Sequence, residues 1–384
     1  MRAAVAVVAG VVLAMAPVPA AAQQQQCAQP ANHVVPQEGW ALQRLDPSRV
    51  WDLTTGESVN VAVIGTGVSA AAPALSGAVL PGQSLSGGAG DDDCAGRDTF
   101  MAGVIAARPA AGTGFTGIAP GARILPIRIT DDPKEVDAGK LASAIRSAAD
   151  GGAKVIAVSV GTAVADGGLR AALSYALSRD ALVIAPSDVD VGEDAIPHPA
   201  AFPEAVAVTG ITGEGEPIQH AAGPPALVAP GNEVVGIAPR GTGQLVASGG
   251  GIGVAFVAGT AALVRAYHPR LSASQVRERL QDTADHPPAE LPDPQRGYGV
   301  VNPAAAVTSA LPAESGEKPM VAAAPPAHLP PTPFVDPLPR LVALLVTGSV
   351  GLLAVLGAIG AVLLPRARRR GWRSAWDGTP KSGG

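Results

Sequence analysis

Five short apolar, β-branched runs constrain this chain most: VNVAVIG (59–65), RILPIRI (123–129), KVIAVSVG (154–161), ALVIAPS (181–187) and AVAVTGI (205–211). Near-continuous runs of this kind suit strands covered on both faces, as in a parallel sheet. Between and around them lie amphipathic stretches such as DAGKLASAIRSAADGG (137–152) and GGLRAALSYALSRD (167–180). The alternation predicts an α/β fold: a doubly wound, mainly parallel sheet with helices on both faces. The last helices are GVAFVAGTAALVRAYHP and SASQVRERLQDTA, the second opened by a capping box of Ser272 with Gln275. GYGVVNPAAAVTSA then closes the domain.

The remainder of the chain is appended to that domain. With 384 residues, 47% hydrophobic and 15% charged, the composition suits one sizeable globular domain plus extra segments and excludes wholesale disorder. A net charge of −5 with few aromatics offers no phosphate-tracking stripe, so nucleic acid is not an expected partner. Residues 1–22 combine one Arg, an apolar core and an Ala-rich end before a Gln tract, the pattern of a cleaved export signal. An extension (23–56) follows. Residues 311–340 are Pro- and Ala-rich and read as a semi-rigid linker. The uncharged run 341–364 would span about 36 Å at ~1.5 Å per residue, enough to cross a bilayer. The basic tail 365–384, with Arg366 to Arg370 at its head, places that end in the cytoplasm and the main domain outside. Cys27 and Cys94 then share an oxidising compartment. A disulfide between them is the leading reading, two free thiols the other.

Two glycine clusters invite a functional reading. Gly65-Thr66-Gly67 after the first strand has the look of a dinucleotide fingerprint, but Pro73 breaks the helix that a pyrophosphate would need. No cofactor is therefore expected, and no metal site: Asp91 to Asp93 read as a solvated loop. The second cluster, Gly249 to Gly251, stands directly before a helix, where a backbone is open to close approach.

Taken together, VAVIGTGV, CAGRDTFMAGVIAA, GFTGIAPGARILPIRI, VIAPSD, HPAAFPEAVAVTGI, LVAPG and SGGGIGVAFVAGTAALV resemble, in order and spacing, a subtilisin-like serine protease of the peptidase S8 family. The match covers about Trp51 to Ala310, and the domain is set at 57–310. Export signal, cysteine-bearing extension and stalk before a membrane span make the chain similar to the mycosins, the membrane-anchored subtilases of type VII secretion. The resemblance implies a subtilisin-like sheet and a triad in the order Asp, His, Ser. At the matching positions this chain has Gly65 for the acid, Arg97 for the base and Gly251 for the nucleophile, and Asp188 where the oxyanion asparagine belongs.

Glycine brings neither nucleophile nor carboxylate, and a guanidinium accepts no proton at neutral pH. A carboxylate at position 188 would oppose the charge that develops in acyl transfer. None of His33, His198, His220, His268, His286 and His328 falls in the Arg97 motif, and Ser248, a conceivable displaced nucleophile, lacks a base and reads as a turn residue. The expected function is a catalytically inactive pseudoprotease that docks on or steadies a type VII secretion membrane complex, whose membrane-embedded proteins are its implied partners. Two alternatives remain: a module that holds exported peptide segments without cutting them, and an active serine endopeptidase. Arg97 is expected to bridge to Asp188 and plug the cleft, the alternative being that it points to solvent or to the adjacent acids Asp93 and Asp98 as a surface pair.

Overall fold

A computed structural model describes residues 27–192, 195–218, 223–314 and 338–369. The expected export signal, most of the Pro-rich linker and most of the basic tail lie outside these residues.

Seven strands form one parallel sheet: β1 (Asn60–Gly65), β2 (Gln83–Ser84), β3 (Arg123–Arg128), β4 (Val155–Val158), β5 (Leu182–Pro186), β6 (Val206–Ile211) and β7 (Leu227–Pro230), in the spatial order β2-β3-β1-β4-β5-β6-β7. Every pairing is parallel, with Val61 opposite Ile124 on one side and Val155 on the other. A separate antiparallel hairpin joins β8 (Val234–Ile237) to β9 (Gln244–Ala247).

The strand residues divide between two cores, as a period of two requires. Val61, Val63, Val155, Ala157, Leu182 and Ile184 face one side with α2 (Arg97–Ala106) and α5 (Ile252–Tyr267). Ala62, Ile64, Ile156, Val158 and Val183 face the other with α3 (Ala138–Asp150) and α4 (Gly167–Ser178). α5 is buried on all sides from Ile252 to Arg265, so it is a core helix rather than an amphipathic one. The peripheral helices are α1 (Trp40–Leu45), α6 (Ala273–Asp282) and α7 (Pro303–Thr308). The Ser272–Gln275 capping box opens α6 as expected. Arg279, fully buried, ties α6 to the end of the domain by donating to the Ala306 carbonyl (2.5 Å) and pairing with Glu314.

The extension is tied to the domain. Cys27 and Cys94 form a disulfide, Ala28 N–H donates to the Cys94 carbonyl (2.7 Å), and the chain then runs beside residues 240–244. Gly243 N–H donates to Ala31 (2.8 Å), Gln244 N–H to His33 (2.7 Å), and Gly114 N–H to Val35 (3.0 Å).

Helix α8 (Leu338–Arg369) forms a unit of its own. Its stretch Val342–Ala361 has a mean hydropathy of 2.4 and the length and composition to cross a membrane.

Candidate functional site

The sheet order reverses at β1, which lies between β3 and β4, and a crevice opens at the carboxyl ends of strands at such a point. Gly65 ends β1, Ser159 follows β4 and Asp188 follows β5. Arg97 begins α2 and Gly251 caps α5. All four positions singled out in the sequence therefore meet around one small volume.

At Gly251 the backbone is left-handed (φ 94°), a conformation that favours glycine. A Cβ there would stand 2.9 Å from Arg97 Nη2 and 2.9 Å from the Ser159 carbonyl oxygen. The Arg97 guanidinium thus occupies the space beside residue 251. Its Nη2 donates to the carbonyls of Ser159 (2.8 Å) and Gly250 (2.5 Å). Burial pulls its pKa down, opposed by the charges of Asp98, Asp188 and Asp93.

The expected bridge from Arg97 to Asp188 does not form. Among the described residues, Arg97 makes no ion pair within 4.0 Å of any carboxylate, so the surface pair with Asp93 or Asp98 is likewise unformed. Backbone geometry is the reason. Two main-chain carbonyls converge on the guanidinium, while Asp188 Oδ2 accepts the Gly210 N–H (2.7 Å) and its Oδ1 packs against Gly250. Asp188 is almost wholly buried, and desolvation raises its pKa against the hydrogen bond from Gly210 and the charge of Arg97.

Asp98, expected at most as a surface partner of Arg97, instead fills the space beside Gly65. The space a side chain at Gly65 would take holds the Asp98 carboxylate, 2.5 Å from the Cβ position, and the Ser159 hydroxyl. Asp98 is fully buried on α2 and accepts the Thr66 N–H (2.7 Å). Desolvation, then the neighbouring charge of Asp93, push its pKa from 3.8 up to about 7. The signal for it was present in Gly-Arg-Asp-Thr, where an acid directly follows Arg97 and faces a strand that ends in a glycine with room beside it.

Asp93 also departs from expectation. Asp91 and Asp92 are exposed, but Asp93 is 1% exposed and caps α2. Its carboxylate accepts from Gly96 N–H (2.8 Å), Thr99 N–H (2.9 Å) and the Thr99 hydroxyl (2.8 Å), satisfying donors that a helix start leaves open. No cluster of three or more His, Cys, Asp or Glu that could hold a metal occurs among the described residues. Ser248 Oγ accepts the Glu233 N–H (2.8 Å), a turn contact. At Gly67 the group in close approach is the chain's own Asp92 carbonyl.

Chemically, the crevice presents a guanidinium anchored on carbonyls, with three buried carboxylates behind it held by backbone donors. The Arg97 side chain gives it hydrogen-bond donation and positive charge.

The sequence profile of the Subtilase family matches residues 56–301. The chain is 34% identical to Mycosin-4 of Mycobacterium tuberculosis (strain ATCC 25618 / H37Rv), over 78% of its own length and 74% of that protein. Its fold is similar to that of the serine protease MycP1, described as an essential component of the type VII (ESX-1) secretion system, with a TM-score of 0.65 and 28% identity over 75% of this chain and 94% of that one. A chain of an intact ESX-5 inner membrane complex is also similar, with a TM-score of 0.63 and 29% identity over 88% and 95%.

Proposed function

The chain belongs to the subtilase family, in its mycosin group, and from that premise we propose that it is a proteolytically silent, membrane-anchored subunit of a type VII secretion membrane complex. One observation carries the silent half of this reading: the guanidinium of Arg97 sits 2.9 Å from where a side chain at Gly251 would begin. A nucleophile's position is occupied by a cation that cannot act as a base, and the acid's position is filled by Asp98, whose hydrogen bond runs to the Thr66 backbone instead of to a histidine.

The docking half is supported by the similar chain in the ESX-5 inner membrane complex and by the C-terminal apolar helix. The main domain would then lie outside the cytoplasmic membrane, consistent with the Cys27–Cys94 disulfide, and the tail inside. The retained fold, with its two cores and tethered extension, supplies a rigid surface that needs no chemistry to be useful.

Affinity purification of the tagged full chain from native membranes tests the docking claim. Co-purification with the type VII membrane assembly in mild detergent is expected. Recovery of the chain alone, under conditions where that assembly stays intact, contradicts it.

A further inference from the structure

A pocket of about 200 Å³ opens where α2, β9 and the extension meet. Its walls are apolar, formed by Phe100, Met101, Pro239, Leu245 and Ile252, and Arg97 stands in them as the charged group. Nη2 of that side chain is committed to two carbonyls. Nη1 makes no hydrogen bond among the described residues, and the buried Nε also lacks a partner. A guanidinium with unspent donors beside apolar walls is a recognition element for an anion that carries an apolar body.

Three further features set the sign of the ligand. The three carboxylates nearest Arg97 (Asp93, Asp98 and Asp188) do not line the pocket, and each accepts from a backbone N–H. Helices α2 and α5 both begin at the pocket, at Arg97 and Ile252, so the positive ends of two helix dipoles point toward it. Ser248 also lines it, and its oxygen accepts from Glu233, which leaves its O–H free to donate. Size sets the scale. Pockets for drug-sized ligands run to roughly 300–1,000 Å³, so this one admits a single residue rather than a length of peptide.

We propose that the pocket binds a carboxylate borne on a compact apolar residue, the chemistry of a peptide's C-terminal leucine or of a free acylated leucine. Arg97 Nη1 and the Ser248 hydroxyl hold the carboxylate, and the apolar wall holds the side chain. The site rests on the reading of Arg97 as a resident, non-hydrolytic group, since a working triad would need that space.

The test titrates the full chain in detergent micelles with N-acetyl-leucine, its carboxamide, and the tetrapeptide Ala-Ala-Ala-Leu, each with a free or amidated end, followed by ligand-observed NMR. A charge-assisted hydrogen bond is worth enough to expect at least ~10-fold weaker binding of each amide. Arg97→Gln should erase that preference. Ala95→Trp, at an exposed pocket-lining position that takes no part in the hydrogen bonds anchoring Arg97, should block acid and amide alike, and it keeps the test decisive if Arg97→Gln does not fold. Tighter binding of the tetrapeptide than of N-acetyl-leucine identifies a peptide end as the source; equal binding identifies a free acid. Equal affinity for acid and amide in the unaltered chain, or no saturable binding of any acid, overturns the proposal. Mass spectrometry of the tetrapeptide separates the two readings: hydrolysis contradicts the silent-subunit reading, whereas an intact peptide that fails to bind contradicts only this one.

Discussion

Placing a serine at position 251, Gly251→Ser, probes the site most sharply, because the structure predicts damage rather than a gain of activity. The new residue would have to adopt φ 94°, a left-handed conformation that costs a non-glycine residue roughly 1–2 kcal/mol. Its Cβ would also meet Arg97 Nη2 and the Ser159 carbonyl at 2.9 Å each, closer than real Cβ contacts. Moving the guanidinium away gives up two hydrogen bonds from a charged donor, each worth about 1.5–3 kcal/mol. Since the backbone can relax part of the contact, about 3–5 kcal/mol of destabilisation is expected, which for a domain of this size is roughly 6–15 °C in melting temperature. Thermal melts of the full chain in detergent, followed by circular dichroism, measure it. In a double-mutant cycle, Arg97→Ala should relieve the steric part only, giving a coupling of about 1–3 kcal/mol with the φ penalty retained. A Gly251→Ser chain as stable as the parent, or zero coupling to Arg97, would refute the account of how residue 251 and the guanidinium share this space.

Other outcomes follow from the same contacts. Asp98 titrates near 7 in the folded chain against 3.8 when free, so the folded state holds its proton more tightly. Its contribution is therefore fully present below about pH 4 and is lost as pH rises toward 7, by a few kcal/mol. Asp98→Asn should flatten that decline in a melt series from pH 4 to 8, and an unchanged slope would count against it. Cys27→Ser should lower stability by about 4 kcal/mol, from opening a loop of 67 residues, with a matching drop when the parent chain is reduced. Truncation before Leu338 should move the chain from the membrane to the soluble fraction on ultracentrifugation, with the domain's melting temperature unchanged.

Much of the fold was legible because the central strands are covered on both faces. VNVAVIG and ALVIAPS are near-continuously apolar, and they stand as β1 and β5 in the parallel sheet. The β8–β9 hairpin was not, since Val234–Ile237 and Gln244–Ala247 are four residues each and six loop residues without a two-residue turn signal separate them. At the site, Gly65, Arg97, Asp188 and Gly251 were singled out by the resemblance to subtilase motifs, and the fold brings them to one crevice. Their contacts were not legible. Arg97 was assigned a charged partner because side-chain pairing is readable from residue types, whereas the carbonyls of Ser159 and Gly250 become acceptors only through backbone orientation. Asp93 and Asp98 look like surface acids in the sequence for a similar reason, yet both are buried. A carboxylate that caps a helix start, or one that fills a vacated strand end, shows no polarity signal in one dimension.

The central claim is that the crevice at Gly251 performs no acyl transfer, and labelling with a fluorophosphonate probe tests it most directly, since labelling requires an activated serine. The full chain, purified from membranes and set beside an active subtilase under the same conditions, should take up no probe, whether judged by fluorescence in a gel or by mass spectrometry of its tryptic peptides. Stoichiometric labelling of any serine near Gly251, Ser248 above all, would contradict the account.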